Sequence, residues 1–69
     1  MLDICVKSHS KEKADRCNYK ICEFFSGTDE FKNNDIIVTP VEQNRDKIFK
    51  FYICFDIDNM DKQTVIFLD

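Results

Sequence analysis

The sequence predicts a small α+β domain. The expected form is a two-layer sandwich in the order β-α-β-β-β, with one helix packed on a mainly antiparallel four-stranded sheet. Three observations carry that expectation. Phe49, Phe51, Ile53, Phe55 and Ile57 alternate with Lys50, Tyr52, Cys54 and Asp56, the two-residue period of a strand with one buried face. Ala14, Cys17, Ile21, Phe24 and Phe25 recur at spacings of three and four, one apolar stripe along a helix. Short polar links over 43–46 and 58–61 separate the later apolar runs, as in an antiparallel meander.

Each element follows in order. Residues 2–7 read as the first strand, with Leu2, Ile4 and Val6 inward. Ser8 or Ser10 can cap the helix by accepting a bond from a free backbone N–H. The helix covers 11–25, and Gly27, the single glycine, stands where helices often end in a left-handed residue. Residues 28–34 are a polar connection, in which Phe31 would pin a short helical turn to the core. The second strand covers 35–42. Pro40 cannot donate to a ladder, so this strand belongs at an edge or ends in a bulge. The third strand runs through 47–57 and the last through 63–68, and the final three strands would pair consecutively.

The chain has 69 residues, enough for one domain spanning 1–69 with one core. Seven phenylalanines supply much of its apolar area. A drug-sized site needs roughly 300–1,000 Å³, which would hollow out so small a core. An enzyme is therefore not expected, and no catalytic residue is assigned. The net charge is −3, with acidic and basic side chains interspersed. That disfavours unspecific attraction to nucleic acid or anionic membrane. No apolar run approaches the roughly 18–20 residues that span a bilayer. The first residues lack the pattern of a secretion signal, so the expected setting is the cytoplasm. Eight lysines against two arginines, with abundant Asn, Ile and Phe, resemble the usage of AT-rich phage and mobile-element genes.

Cys5, Cys17, Cys22 and Cys54 do not form a metal pattern. There is no C-x-x-C, and Cys17 and Cys22 would lie about 140° apart on a helix. Neither metal nor cofactor is expected. Reduced thiols are expected, with Cys17 and Cys22 packed as small hydrophobes. Cys5 and Cys54 fall on the wetter parity of their strands, beside Lys7 and Lys50. They would approach each other if the first and third strands were neighbours, and a nearby lysine lowers a thiol pKa.

Other motifs fail on their residues. Lys47, Phe49 and Phe51 match part of the RNA-recognition signature, but Ile48 and Lys50 occupy its glycine positions and Cys54 its last aromatic. Asp56, Asp58, Asn59 and Asp61 begin like a calcium loop, but Asp61 and Phe67 stand where that loop needs glycine and glutamate. One glycine excludes the phosphate-binding loops.

A single helix covers only one face of a four-stranded sheet. The other face would carry Cys5, Lys7, Lys50, Tyr52, Cys54 and Asp56, with Ile37, Ile48 and Ile66 or its neighbours. Such a mixed surface suits contact with another protein. The expected contact residues are Lys7, Lys50 and Tyr52, with Tyr19 and Phe31 as aromatic anchors. The expectation is a non-enzymatic protein-binding module, an accessory protein of a phage or mobile element that inhibits or redirects a host protein. A homodimer would enlarge the small core. The alternative is a single-stranded nucleic-acid binder using the same face.

Overall fold

A computed structural model describes residues 1–27, 36–56 and 61–69. Phe31, expected both as a core pin and as an aromatic contact anchor, Ile57, expected as the last inward residue of the third strand, and the expected links at 28–34 and 58–60 lie outside the described residues. The chain forms β1 (Leu2–Ser8), α1 (Lys11–Ser26), β2 (Ile36–Val38), β3 (Glu42–Gln43), β4 (Phe49–Phe55) and β5 (Lys62–Phe67). The strands make one mixed sheet in the order β2-β4-β1-β5, with β3 also paired to β4. The α+β class and, among the described residues, one helix on one sheet match the expectation, with five strands in place of four.

Helix α1 starts where Ser10 Oγ accepts from Lys13 N at 3.3 Å, which satisfies one of the free amides of the first turn. Ala14 is fully buried, and Cys17, Ile21 and Phe25 are half-buried. Phe24 departs from the expected stripe and is 67% exposed. At about 100° per residue it lies roughly 80° round the helix from Ala14, on the flank of the buried face. Gly27 closes the helix at φ −93°, outside the left-handed region, so no glycine-specific conformation is used there.

The buried face of the sheet is built as the alternation dictates. Val6, Phe51 and Ile53 form its centre, with Ile4, Cys17, Ile21, Ile36, Val38, Val41, Phe55 and Leu68 packed against them. Strand β4 runs antiparallel to β1, with Val6 opposite Phe51 and Ile4 opposite Ile53. It also runs antiparallel to β2, with Val38 opposite Ile53. Strands β1 and β2 are therefore parallel to each other with β4 between them, a split β-α-β arrangement with α1 in the connection.

The expected single strand over 35–42 is broken in two. Thr39 replaces the ladder locally: its N–H donates to Tyr52 O at 2.9 Å, and its Oγ1 accepts from Tyr52 N at 2.8 Å. Pro40 follows, and pairing resumes at Glu42 opposite Lys50. The turn before β4 is organised by Asn44, whose Oδ1 accepts from Asp46 N at 3.0 Å and Ile48 N at 2.9 Å. It leaves Lys47 at φ 60°, a left-handed conformation that costs a residue with a Cβ. The third strand consequently begins at Phe49, not Lys47. Replacing Lys47 by glycine should stabilise the fold by about 0.5–1 kcal/mol, after allowing for the added freedom of the unfolded chain. A urea midpoint that falls or stays put would contradict this.

The expected meander also fails at its last step. Strand β5 does not pair with β4. It lies on the far side of β1 and runs parallel to it, with Ile4 opposite Thr64 and Val6 opposite Ile66. Both flanks of β4 are taken, by β1 on one side and by β2 and β3 on the other. The free flank belongs to β1. Six residues separate Phe55 from Lys62, long enough to step across two strand spacings of about 4.8 Å each.

Candidate binding surface

Helix α1 packs over β1 and β4 on the Val6–Phe51 face. Among the described residues, no element packs on the opposite face. The registers place its side chains in rows across the sheet. One row runs Glu42, Lys50, Lys7 and Phe67; the next holds Tyr52, Cys5 and Val65; the third holds Ile37, Cys54, Asp3 and Gln63. Ile37 is 58% exposed and Val65 57%. Of the two alternatives for β5, Ile66 or its neighbours, Ile66 shares the helix side with Val6, because β5 pairs in register with β1. Its neighbours Val65 and Phe67 take the open side.

Of the expected contact residues, Lys7, Lys50 and Tyr52 come together here. The two lysines stand directly opposite each other on adjacent strands, where like charges repel, and Glu42 on the other side of Lys50 offsets that repulsion. The Lys50 ammonium lies 5.5 Å from the Tyr52 ring centroid. Side-chain hydrogen bonding to Tyr52 raises the Lys50 pKa, with charge interactions adding, so the cation is held as a cation. Tyr19 is exposed on α1, on the far side of the sheet, and belongs to a different surface.

The cysteines behave differently from expectation in three respects. Cys5 is buried at 3% exposure despite its wetter parity, because it occupies the central strand with Tyr52 and Val65 as neighbours. Cys22 is exposed, and its Sγ donates to Asn18 Oδ1 at 3.3 Å. Cys54 stands opposite Asp3, not beside a lysine that would activate it. Hydrogen bonding to the Asp3 carboxylate and partial burial push the Cys54 thiol up, toward the protonated, unreactive form. Strands β1 and β4 are neighbours, as the approach of Cys5 to Cys54 required. Cys5, however, faces Tyr52, so the two sulfurs are diagonal. Diagonal neighbours are about 7–8 Å apart, beyond the Cβ spacing of a disulfide. All four thiols are free. Among the described residues, no cluster of three or more His, Cys, Asp or Glu is placed to hold a metal ion.

A concavity of about 500 Å³ lies on the helix side, between the flank of α1 and the end of β5. Ile21, Phe24, Phe25 and Leu68 line it, with Lys13, Arg16 and Lys20 at the rim. Two of those cations already face carboxylates: Arg16 pairs with Glu12 at 2.8 Å and Lys13 lies 3.8 Å from Asp69. No helix among the described residues is long and apolar enough to cross a membrane.

No family model matches the chain, and no curated protein and no solved structure matches it.

Proposed function

We propose that this chain is a non-enzymatic protein-binding module whose contact surface is the open sheet face around Lys7, Lys50, Tyr52 and Ile37. One observation carries the reading. The face has no covering layer among the described residues, yet it combines an exposed Ile37, a tyrosine and two opposed lysines. Covering such a face releases water from apolar side chains, and an acidic group on the partner would add to the carboxylate that Glu42 already sets opposite Lys50. Tyrosine in such a setting supplies a large ring with a polar tip. The lysine-rich, glycine-poor composition supports placing the protein in a phage or mobile element. Its partner would then be a protein of the host cytoplasm, inhibited or redirected by occupation of a surface.

The pairing of the Lys50 ammonium with the Tyr52 ring, beside Lys7, supports a second reading, a single-stranded nucleic-acid binder. Salt separates the two, because phosphate contacts weaken steeply with salt and an apolar protein contact does not. The test is capture from host lysate at low and high salt, with and without nuclease. The baits would be the wild-type chain, Ile37→Asp, Tyr52→Ala and, as a helix-side control, Tyr19→Ala. The expected result is one protein retained through high salt and nuclease, lost by Ile37→Asp and Tyr52→Ala and kept by Tyr19→Ala. Equal retention by all four baits would overturn the assignment of the face. Loss on nuclease treatment would move the assignment to nucleic acid.

A further inference from the structure

The two edges of the sheet are built differently. One edge is protected: β2 has three residues, β3 has two, and Pro40 stands between them. Short strands, breaks and proline all hinder pairing with another chain. The other edge, β5, has six consecutive strand residues, Lys-Gln-Thr-Val-Ile-Phe, with no proline or glycine and one charge at its start. Its last three side chains are apolar and exposed on both faces, with Val65 at 57%, Ile66 at 43% and Phe67 at 46%.

Among the described residues, the hydrogen bonds show which backbone groups this edge leaves open. Lys62 N donates to Met1 O at 3.2 Å and Leu68 N to Lys7 O at 2.9 Å. The even-numbered residues thus point their amides at β1. In a strand the direction alternates, so Gln63, Val65 and Phe67 turn their N–H and C=O outward.

We propose that β5 is a self-association edge, on which β5 of a second copy pairs antiparallel about a two-fold axis at Val65. That register places Val65 opposite Val65 of the other copy and Gln63 opposite its Phe67. Every outward backbone group of the strand is then used, in up to about six hydrogen bonds. Residues of equal parity meet, so both helices fall on the same side of one continuous sheet, as a two-fold axis perpendicular to it requires. The charge pattern favours this partner and this direction. Antiparallel self-pairing keeps the two Lys62 side chains at opposite ends of the contact, whereas parallel pairing would set them side by side. The dimer joins the two open faces into one surface and does not depend on what that surface binds.

Sedimentation of the full chain from about 10 µM to about 1 mM tests the dimer, since a homodimer forms by mass action. The expected species has twice the 8.2 kDa chain mass. Val65→Lys and Val65→Glu place like charges directly across the axis while leaving the β1 ladder intact, so each alone should be a monomer with an unchanged far-UV spectrum. Mixed in equal amounts, the two should recover the dimer mass. A wild-type chain that stays monomeric throughout would overturn the proposal. So would charged variants as dimeric as wild type, or folded variants that fail to recover the dimer when mixed.

Discussion

Phe51→Ala is expected to remove about half or more of the stability of the fold. Phe51 has no exposed surface and packs with Val6 and Ile53 at the centre of the core. It also belongs to β4, the strand that β1, β2 and β3 all pair with, so its loss loosens contacts to every sheet neighbour on that side. Truncating a buried phenylalanine costs about 3–5 kcal/mol, the lost transfer energy plus the cavity left behind. A domain of this length has a total stability of only about 3–10 kcal/mol. The cost is therefore a large part of all that holds the protein folded. Phe51→Leu, which keeps most of the volume, should cost closer to 1.5 kcal/mol and remain folded. Urea titration followed by circular dichroism distinguishes the two. A cooperative, near-wild-type transition for the alanine variant would show that the core is centred elsewhere.

Ser8→Ala is expected to destabilise the fold by about 1–3 kcal/mol, because it strips a buried hydroxyl from a junction that joins three elements. Ser8 has no exposed surface. Its Oγ donates to Asp69 Oδ1 at 2.8 Å and accepts from Ser10 N at 3.0 Å, next to the cap of α1. The other carboxylate oxygen, Asp69 Oδ2, accepts from His9 N at 2.6 Å and lies 2.9 Å from His9 Nδ1. The segment after β5 is thereby tied to the turn between β1 and α1. These bonds, the His9 amide first and the Ser8 hydroxyl next, hold the Asp69 carboxyl below its ordinary value. A carboxylate with a depressed folded pKa contributes stability that is full above its unfolded pKa of about 3.9. That contribution is lost as pH falls through the lower folded value. Melting temperature measured from about pH 6 down to about pH 2 should therefore drop less steeply for Asp69→Asn than for wild type. Ser8→Ala, with one donor removed, should fall between them. Parallel acid profiles for all three proteins would show that the Asp69 cluster is not coupled to folding.

Much of this molecule can be read from local pattern. The alternation around Phe51 marks the buried side of β4, and the three-and-four spacing marks the buried side of α1. Both signals are strong because they reflect which side of one element avoids water, and that depends on its own residues. The meeting of Lys7, Lys50 and Tyr52 on one face follows from the same parity. The position of Phe24 was less legible, since a residue at the margin of a helical stripe is buried only if something stands opposite it. The break of the second strand at Thr39 was half visible in Pro40, but the threonine hydroxyl standing in for a ladder group was not.

The sequence by itself determined the helix, the buried sides of β1 and β4, and the helix-on-sheet architecture, but not the break of the second strand into β2 and β3. The tertiary structure decided which strands lie side by side. Period and composition describe a strand's two faces but say nothing about its two edges, and the edges carry the same backbone groups in every residue but proline. The last strand shows the difference. Its short link to β4 suggested a hairpin, yet β4 already had partners on both sides and β1 had an open flank. Burying Cys5 between Tyr52 and Val65 follows from that choice of neighbour, as does the exposure of β5 at the rim of the sheet. Neither could be read from the residues alone, because both are set by pairing between distant segments of chain.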